Sequence, residues 1–373
     1  MGNAQDHALG RNRAFFLNTE ATYGTFVKPA ATDAAKVLAC SFDFKQERRN
    51  RIDSRPIRAH YERITGRKEV SWSVESYLIP SGSGSTDPDI APMIKAAMGA
   101  SSSQVFSLTS GQALDSLSLT QQMNEVVMET VAGAWVETMT ISMSGGDDPK
   151  ISFDGGASTH FHTSTSTTNG TGSSATALIV NDADAFEIGS VIKIASSADH
   201  QVTNKVGTTL TISPAASWSN AVAVVPYTPA ETVAGSPSPG ITGSITLAGN
   251  SGIDIIGFNV SLKNNIKGII DEAFASTATD FIPGFRDVTG SLQVRCAKDQ
   301  AIELGKRKGF GARDLQIVSG SGTGNVCTID MDQIEFEFAA LSVPESEEVI
   351  IELPFTALAQ DAATNDELII TFS

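Results

Sequence analysis

The chain has 373 residues, a net charge of −16 and a hydrophobic fraction of 41%, enough apolar material for a core, which excludes wholesale disorder. No stretch approaches the roughly 18–20 apolar residues of a membrane-spanning helix, and the N-terminus has no apolar signal region, so we expect neither a membrane anchor nor secretion. The acidic balance disfavours a protein that reads DNA sequence.

Charge is distributed unevenly along the chain. Residues 1–68 hold 13 of the 26 Lys and Arg against 7 Asp and Glu, which gives about +6, whereas the remainder carries −22. No Lys or Arg follows Arg313, but twelve acidic residues do. A basic front and an acidic back favour head-to-tail contact between copies, or contact with a partner of opposite charge. The alternative is that both charged regions are simply exposed to solvent and contact no partner.

Alternation of apolar and polar residues predicts strands in both halves of the chain. In residues 66–79, Val70, Trp72 and Val74 define an apolar face, and the residues between them define a wet one. Strands are predicted in this way at 41–47, 66–79, 333–338, 348–353 and 367–372.

Only two short segments have the composition of helices. One is 87–98, with Asp87 as a cap and Pro88 in the first turn, and the other is 298–308, with Asp299 as a cap and Gly309 as a stop. The sequence therefore predicts a mainly-β protein with one short helix in each half.

The order strand, long loop, strand, helix occurs twice, over residues 42–98 and 258–308. Residues 66–70 align with residues 284–288, and the segment that begins at Phe42 aligns with the one that begins at Phe258. We interpret this as a duplicated β domain. Chance recurrence of two strands and a helix is the alternative.

A change of composition separates the halves. Residues 155–176 are rich in Gly, Ser and Thr and predict a flexible linker, and residues 229–244 form a second breaker-rich run. Several short strands between them predict a small inserted β-barrel that protrudes on these tethers. The predicted domains are a first β domain with an N-terminal arm and a basic loop, the inserted barrel, and a second β domain: 1–155, 177–228 and 241–373.

No arrangement of residues predicts an active site. Three Asp-x-Asp pairs occur, and we assign them a helix cap, a turn and a strand bulge in preference to catalysis or cation binding. His160 and His162 lack a third metal ligand and are expected to be solvated, and the three cysteines predict neither disulfides nor zinc. We expect no cofactor and no metal. The three pairs are Asp87/Asp89, Asp182/Asp184 and Asp330/Asp332.

The loop predicted at residues 46–66 is far longer than an ordinary hairpin connection and is rich in arginine. Because arginine makes bidentate contacts to carboxylates, we expect this loop to dock on another subunit, with a disordered surface loop as the alternative. Its arginines are Arg48, Arg49, Arg51, Arg55, Arg58 and Arg63.

Several segments, taken in order, resemble the tail tube proteins of long-tailed bacteriophages. Each is weak alone, and their order over most of the chain carries the resemblance. The segment 186–194, inside the insert, resembles small decorating β-barrels of phage structural proteins. The segments that resemble the tail tube proteins are 22–25, 66–75, 89–94, 285–292, 355–358 and 366–370.

The resemblance implies a β-barrel or sandwich subunit with a short flanking helix, which assembles into stacked rings that form a hollow tube for tape measure protein and genome DNA. It implies that the arginine loop contacts the next ring. It also implies further partners, namely tail terminator and baseplate or tail-tip proteins, and a place in the virion tail after assembly in the host cytoplasm. The duplication departs from the family pattern and leaves open six chains per ring or three pseudo-hexameric ones; we favour three.

In such a tube the apolar strand faces pack outward against the helix, and the wet faces line the lumen. Hydroxyls and carboxylates there would let DNA pass without specific binding. A phage or surface adhesin whose inserted barrel binds glycan is the alternative function, and an enzyme using an Asp pair ranks last. The residues expected in the lumen are Asp43, Glu69, Ser71, Ser73, Glu75, Asp287, Thr289 and Ser291.

Overall fold

The structure is a computed structural model, and the part of the chain that it describes is mainly β. It contains one α-helix, which is too short to cross a membrane, and one short 3-10 helix. The mainly-β prediction is confirmed. The described residues are 13–51, 62–111, 113–249, 254–270, 275–295, 313–337, 349–361 and 365–373.

The described residues contain 25 strands. Those up to the middle of the chain are β1 (Arg13–Thr19), β2 (Ala39–Asn50), β3 (Arg63–Tyr77), β4 (Gly99–Ser102), β5 (Val105–Leu108), β6 (Leu117–Met123), β7 (Val127–Ala134), β8 (Thr138–Ser144), β9 (Lys150–Ala157), β10 (Thr159–Thr163), β11 (Ser166–Thr167) and β12 (Gly172–Ile179). The rest are β13 (Val191–Ile194), β14 (Ser197–Val206), β15 (Thr209–Trp218), β16 (Ala223–Pro226), β17 (Gly243–Leu247), β18 (Ile255–Lys263), β19 (Lys267–Ile269), β20 (Asp280–Ile282), β21 (Asp287–Arg295), β22 (Arg313–Gly320), β23 (Val326–Phe336), β24 (Ile350–Ala357) and β25 (Ile369–Phe372). The helices are the 3-10 turn Ala31–Asp33 and α1 (Ala91–Met98).

One large sheet joins both halves of the chain. Its strand order begins β2-β3-β9-β8 and continues β18-β21-β24-β23, then passes through β25, β5 and β4, while β22 and β17 branch from β23. We call β2, β3, β9 and β8 the first unit, and β18, β21, β24 and β23 the second unit. Each unit is therefore a four-stranded antiparallel set, and the pairing of β8 with β18 connects the two.

One face of this sheet is apolar and buried. Val70, Trp72 and Val74 are at most 4% exposed, and they share a core with Met93 and Ile94 of α1, whose side chains are fully buried. A second, four-stranded sheet with the order β1-β6-β7-β10 contributes Phe15, Leu17, Leu117 and others to the same core. The predicted apolar face of the first unit is buried, and the prediction that it packs directly against the helix stays a prediction.

The two units repeat the same pairing register. Residue numbers in the hairpin β2–β3 and in the segment from β18 to β21 differ by a constant 218, and both contain the same one-residue slip after the long strand pair. Two segments of equal length with a shared irregularity support a duplicated unit rather than a chance recurrence of strands. The matching pairs are Lys45–Glu69 with Lys263–Asp287, Arg49–Ile64 with Lys267–Ile282, and Asn50–Arg63 with Gly268–Phe281.

This register shifts the sequence alignment of the first strands by two residues. Phe42 lies opposite Trp72, and the equivalent pair in the second unit is Val260 with Gly290, so Phe42 matches Val260 rather than Phe258. The alternation of apolar residues has a period of two, so a shift of two preserves the pattern and is invisible in the sequence. The predicted division of the chain into three domains stays a prediction.

Helix α1 begins at Ala91, later than predicted from 87–98. Asp87 and Asp89 do not cap it; the Asp89 carboxylate instead accepts the backbone N–H of Ala234 at 2.8 Å. Pro92 accounts for the later start, because it lies in the first turn of α1, where a missing N–H leaves no intrahelical hydrogen bond unmade. The predicted second helix, 298–308, lies outside the described residues.

A separate six-stranded sheet occupies the middle of the chain, with the order β11-β16-β13-β14-β15-β12 and a core of its own. An isolated bridge between Thr168 and Val180 brings its two end strands together. The prediction of a flexible linker at 155–176 is wrong, since β10, β11 and part of β12 lie there. Threonine, a β-branched residue that suits strands, makes up much of this segment and misled a prediction based on composition.

The breaker-rich run 229–244 is also not a loose tether. Its last two residues begin β17, and the rest bonds to the first half of the chain: Thr232 N–H donates to Ala31 O at 2.9 Å, and Ser238 N–H donates to Leu78 O at 3.3 Å. Backbone groups that lose water need such partners. At Gly235 the contact is close enough that a Cβ atom would lie 1.8 Å from Pro80 O.

We expect Gly235→Ala to lower the free energy of unfolding by about 2–4 kcal/mol, because it combines a positive φ of 71° with a clash against backbone. Gly207→Ala is the matched control: its φ is 59°, but nothing lies within 4 Å of the added Cβ, so we expect a cost of only about 1 kcal/mol. Urea unfolding of the monomer measures both. Equal losses in the two variants would show that residues 229–244 are not packed as described.

Candidate assembly surfaces

The face of the large sheet opposite the core is polar across both units. Seven of the eight residues predicted for a lumen lie next to a buried residue of their strand and point to this polar face, and the eighth, Asp43, lies between the half-buried Phe42 and the exposed Phe44. Hydroxyl pairs cross between its strands, with Ser41 Oγ 2.9 Å from Ser73 Oγ, and Thr140 Oγ1 3.1 Å from Ser261 Oγ across the connection of the two units. The structure thus brings the eight residues onto one surface, and whether that surface lines a lumen stays a proposal.

Lysines that the prediction omitted lie on the same face. Lys45 Nζ is 2.8 Å from Asp43, and Lys150 Nζ is 3.2 Å from Glu75. Burial raises the pKa of Asp154 above its usual value, and a hydrogen bond from Thr138 and the charge of nearby Lys263 offset only part of this rise. The polar face therefore carries hydroxyl, carboxylate and ammonium groups side by side. The alternation of residues around Lys45 could have placed it on the polar face from the sequence, but the sequence does not reveal its neighbours on adjacent strands.

The connection between the units shows how one unit covers the edge of the next. Seven residue pairs join β8 to β18, from Thr138–Lys263 to Ser144–Gly257. At this junction Leu262 is fully buried and Val260 is 2% exposed. Pairing across the edge and burial of the apolar side chains on β18 therefore occur together.

Strand β2 is the equivalent of β18, but within the described residues it pairs only with β3. The consequence is visible at Phe44, the equivalent of Leu262: its side chain is 41% exposed and stacks on His160, with ring centroids 5.8 Å apart. The first unit thus presents an unpaired strand edge that carries an apolar side chain which is buried at the same place in the second unit.

The arginine-rich segment is largely a hairpin rather than a loop. Arg48, Arg49 and Arg63 lie on β2 and β3, which extend farther than predicted. Arg49 makes two hydrogen bonds with Glu47, at 2.7 and 2.9 Å, and Arg51 bonds Glu62 at 2.8 Å, all at exposed positions. We call residues 46–51 and 62–66 the arginine hairpin. Arg55 and Arg58 lie outside the described residues.

The second unit has a matching hairpin of different character. Residues 266–270 and 275–282, here called the aromatic hairpin, contain β19 and β20, and Ser276 O accepts a 2.8 Å hydrogen bond from the backbone N–H of Lys68 in the first unit. Phe281 stacks on Trp135 with ring centroids 5.8 Å apart, and Ala278 O accepts a 2.7 Å hydrogen bond from Ser158 Oγ. Sequence reasoning missed this contact; its signal is the constant difference of 218, which places Phe281 at the position of Arg63.

The residues weighed for chemistry have structural roles. Asp330 and Asp332 flank a shift in the pairing of β22 with β23, so the predicted bulge is confirmed. Asp182 accepts the N–H of Asp184 in a turn, at 3.0 Å, as predicted. His160 is not solvated: it lies on β10 with its side chain 14% exposed, and this burial lowers its pKa. Within the described ranges, no three His, Cys, Asp or Glu side chains are grouped to hold a metal ion.

A comparison with known protein families identifies the family of this chain. The sequence model of a family described as phage tail tube protein matches residues 10–222, which is more than half of the chain. The chain belongs to the phage tail tube protein family. No curated protein matches it. The matched part of this tail tube protein spans the first unit and most of the six-stranded sheet, and the second unit follows it with the same strand register.

Membership makes this chain a structural component of the phage tail, and the resemblance stated from the sequence is confirmed. The polar face, the unpaired β2 edge and the arginine hairpin are exposed surfaces of this tail tube protein within the described residues. No catalytic constellation competes with them in the part of the chain that the structure describes.

Proposed function

We propose that three copies of this chain close into a ring, and that stacked rings form the hollow tail tube through which tape measure protein and genome DNA pass. The observation that supports it is the contrast between β18, whose edge is covered by β8, and β2, whose equivalent edge carries the exposed Phe44. A neighbouring copy that covers β2 as β8 covers β18 removes the free edge.

Three copies follow from two units in each chain. A ring of alternating first and second units needs one junction within each chain, between β8 and β18, and one junction between chains at β2. Three chains supply six units, which gives pseudo-sixfold symmetry with cyclic closure. Closure into a barrel also explains why one continuous sheet keeps a polar face over both of its halves.

In this ring the polar face lines the channel. Its hydroxyls and carboxylates avoid strong contacts with the phosphates of DNA, and its lysines offset part of the negative charge, so that DNA passes without specific binding. The arginine hairpin contacts another copy of the chain. Tail terminator and baseplate or tail-tip proteins would end the stack, after assembly in the host cytoplasm.

Accessibility of engineered cysteines tests the channel. With the native cysteines replaced by alanine, we expect Ser73→Cys to react with a 5 kDa maleimide reagent in the monomer and to be protected at least about tenfold in tubes, since a closed channel admits such a reagent only at its ends. Val206→Cys, on the six-stranded sheet and 70% exposed in this chain, is the control and should react equally in both states. Full reactivity of Ser73→Cys in intact tubes would place the polar face outside.

A further inference from the structure

The contact between the aromatic hairpin and the first unit is a template for a contact between chains. Inside one chain, Phe281 stacks on Trp135, and the backbone N–H of Ile266 donates a 2.8 Å hydrogen bond to Glu137 Oε2. If rings alternate first and second units, as proposed above, each first unit must meet the second unit of a neighbour in the same relation. The inference therefore rests on the proposed function.

The shared strand register identifies the residues of the arginine hairpin that lie at the positions of Phe281 and Ile266 in the aromatic hairpin. The difference of 218 places Arg63 at the position of Phe281, because Asn50–Arg63 and Gly268–Phe281 are equivalent pairs. The same difference places Arg48 at the position of Ile266. Both arginines are exposed in the single chain.

Matching backbone hydrogen bonds identify the residues in the second half of the chain that lie at the positions of Trp135 and Glu137. Glu137 N–H donates to Asp154 O at 2.8 Å, and Glu337 N–H donates to Pro354 O at 2.8 Å, a difference of 200 at both ends. Ser158 N–H to Gly133 O, at 3.2 Å, has the counterpart Leu358 N–H to Gln333 O, at 2.8 Å. Glu335 therefore occupies the position of Trp135, and Glu337 that of Glu137.

We propose that Arg63 and Arg48 of one copy dock on Glu335 and Glu337 of the neighbouring copy in the same ring. Where the contact within the chain joins two aromatic rings, the equivalent contact between chains joins arginines to carboxylates. Glu337 is exposed and Glu335 half-buried in the single chain. The base of the arginine hairpin is thus held within the ring.

This exchange of chemistry makes the two junctions distinct. An arginine hairpin placed on the Trp135 platform of another first unit would lose its carboxylate partner at Glu335, and an aromatic hairpin placed on Glu335 would lose its stacking partner. Each junction therefore rejects the other kind of neighbour. Alternation of first and second units around the ring follows from this specificity.

Charge reversal with rescue tests the docking. We expect the double variant Glu335→Arg with Glu337→Arg to raise the protein concentration needed for ring formation at least about 100-fold, and Arg48→Glu with Arg63→Glu to do the same. Combining all four changes in one chain should restore assembly to within about tenfold. The control, Asp182→Arg with Asp184→Arg on the six-stranded sheet, should assemble as the parent does. Light scattering measures assembly, and circular dichroism of the monomers checks folding.

A crosslink gives an independent answer even where a reversed variant folds poorly. In a background without native cysteines, a chain with Arg63→Cys mixed with a chain with Glu335→Cys should form a disulfide-linked dimer within assembled rings. The docking proposal is wrong if the parent forms rings but no such dimer appears, or if all charge-reversed variants assemble at the parent concentration. Either result leaves the proposed ring itself uncontradicted. If the parent chain forms no rings, the proposed function itself fails.

Discussion

Replacing Phe44 by aspartate is expected to abolish ring formation while leaving the monomer folded. In the single chain this side chain is 41% exposed, and Lys68 Nζ lies 5.9 Å from its ring centre, so a carboxylate remains hydrated and near a cation. Once a neighbour covers β2, the same carboxylate is removed from water without a partner, which costs several kcal/mol at each junction. We expect the assembly concentration to rise at least about 100-fold, as measured by light scattering.

Leu262→Asp is the matched control, because Leu262 is the equivalent residue in the second unit and is fully buried within the chain. That change should destabilise the monomer itself, by about 4 kcal/mol or more, whereas Phe44→Asp should change the free energy of unfolding by less than about 1 kcal/mol. Chemical denaturation below the assembly concentration separates them. Rings formed by Phe44→Asp at the parent concentration would contradict closure at the β2 edge.

Replacing Arg286 by alanine is expected to cost about 3–5 kcal/mol of monomer stability. Its guanidinium donates to both carboxylate oxygens of Glu367, at 2.8 and 2.9 Å, to Thr109 O at 2.6 Å and to Asn365 Oδ1 at 2.8 Å. The side chains of Arg286 and Glu367 are only 22% and 17% exposed. Removal of the arginine leaves a half-buried carboxylate without its cation, a larger penalty than loss of a surface ion pair.

Two further variants separate charge from geometry at this site. Arg286→Lys keeps the charge but not the planar fork of donors, and should lose about half as much stability. The double variant Arg286→Ala with Glu367→Gln removes the stranded charge and should recover at least about 1 kcal/mol relative to Arg286→Ala alone. Thermal and urea unfolding measure these differences. A loss below 1 kcal/mol in Arg286→Ala would show that the pair is solvated.

Local sequence patterns predicted the strands well because a half-buried strand repeats every two residues. Val70, Trp72 and Val74 alternate with Ser71, Ser73 and Glu75, and this alternation fixes both the strand and its two faces. Composition served less well: the Ser/Thr-rich segment 155–176 looks like a linker but supplies strands. The start of α1 was misplaced because Asp87 and Pro88 were assigned to the cap and first turn, whereas the helix begins beside Pro92.

The polar face could be predicted, whereas the assembly contacts could not. Faces follow from local alternation, but the pairing of β8 with β18 joins residues more than 100 positions apart, and no local pattern encodes which edge stays free. The stacking of Phe281 on Trp135 likewise depends on the packing of one unit on the other. Only the duplicated register, once known from the structure, relates Arg63 to Phe281 and Glu335 to Trp135.

The number of chains in one ring tests the account most directly. Cryo-electron microscopy of assembled tubes, viewed in cross-section, should show threefold symmetry, with three chains of 39.1 kDa in each ring and two similar β units from every chain around the channel. The polar face should point inward, and β2 of each chain should pair with a neighbour. Rings of six chains with one unit each around the channel, or chains whose β2 edge faces solvent, would contradict it.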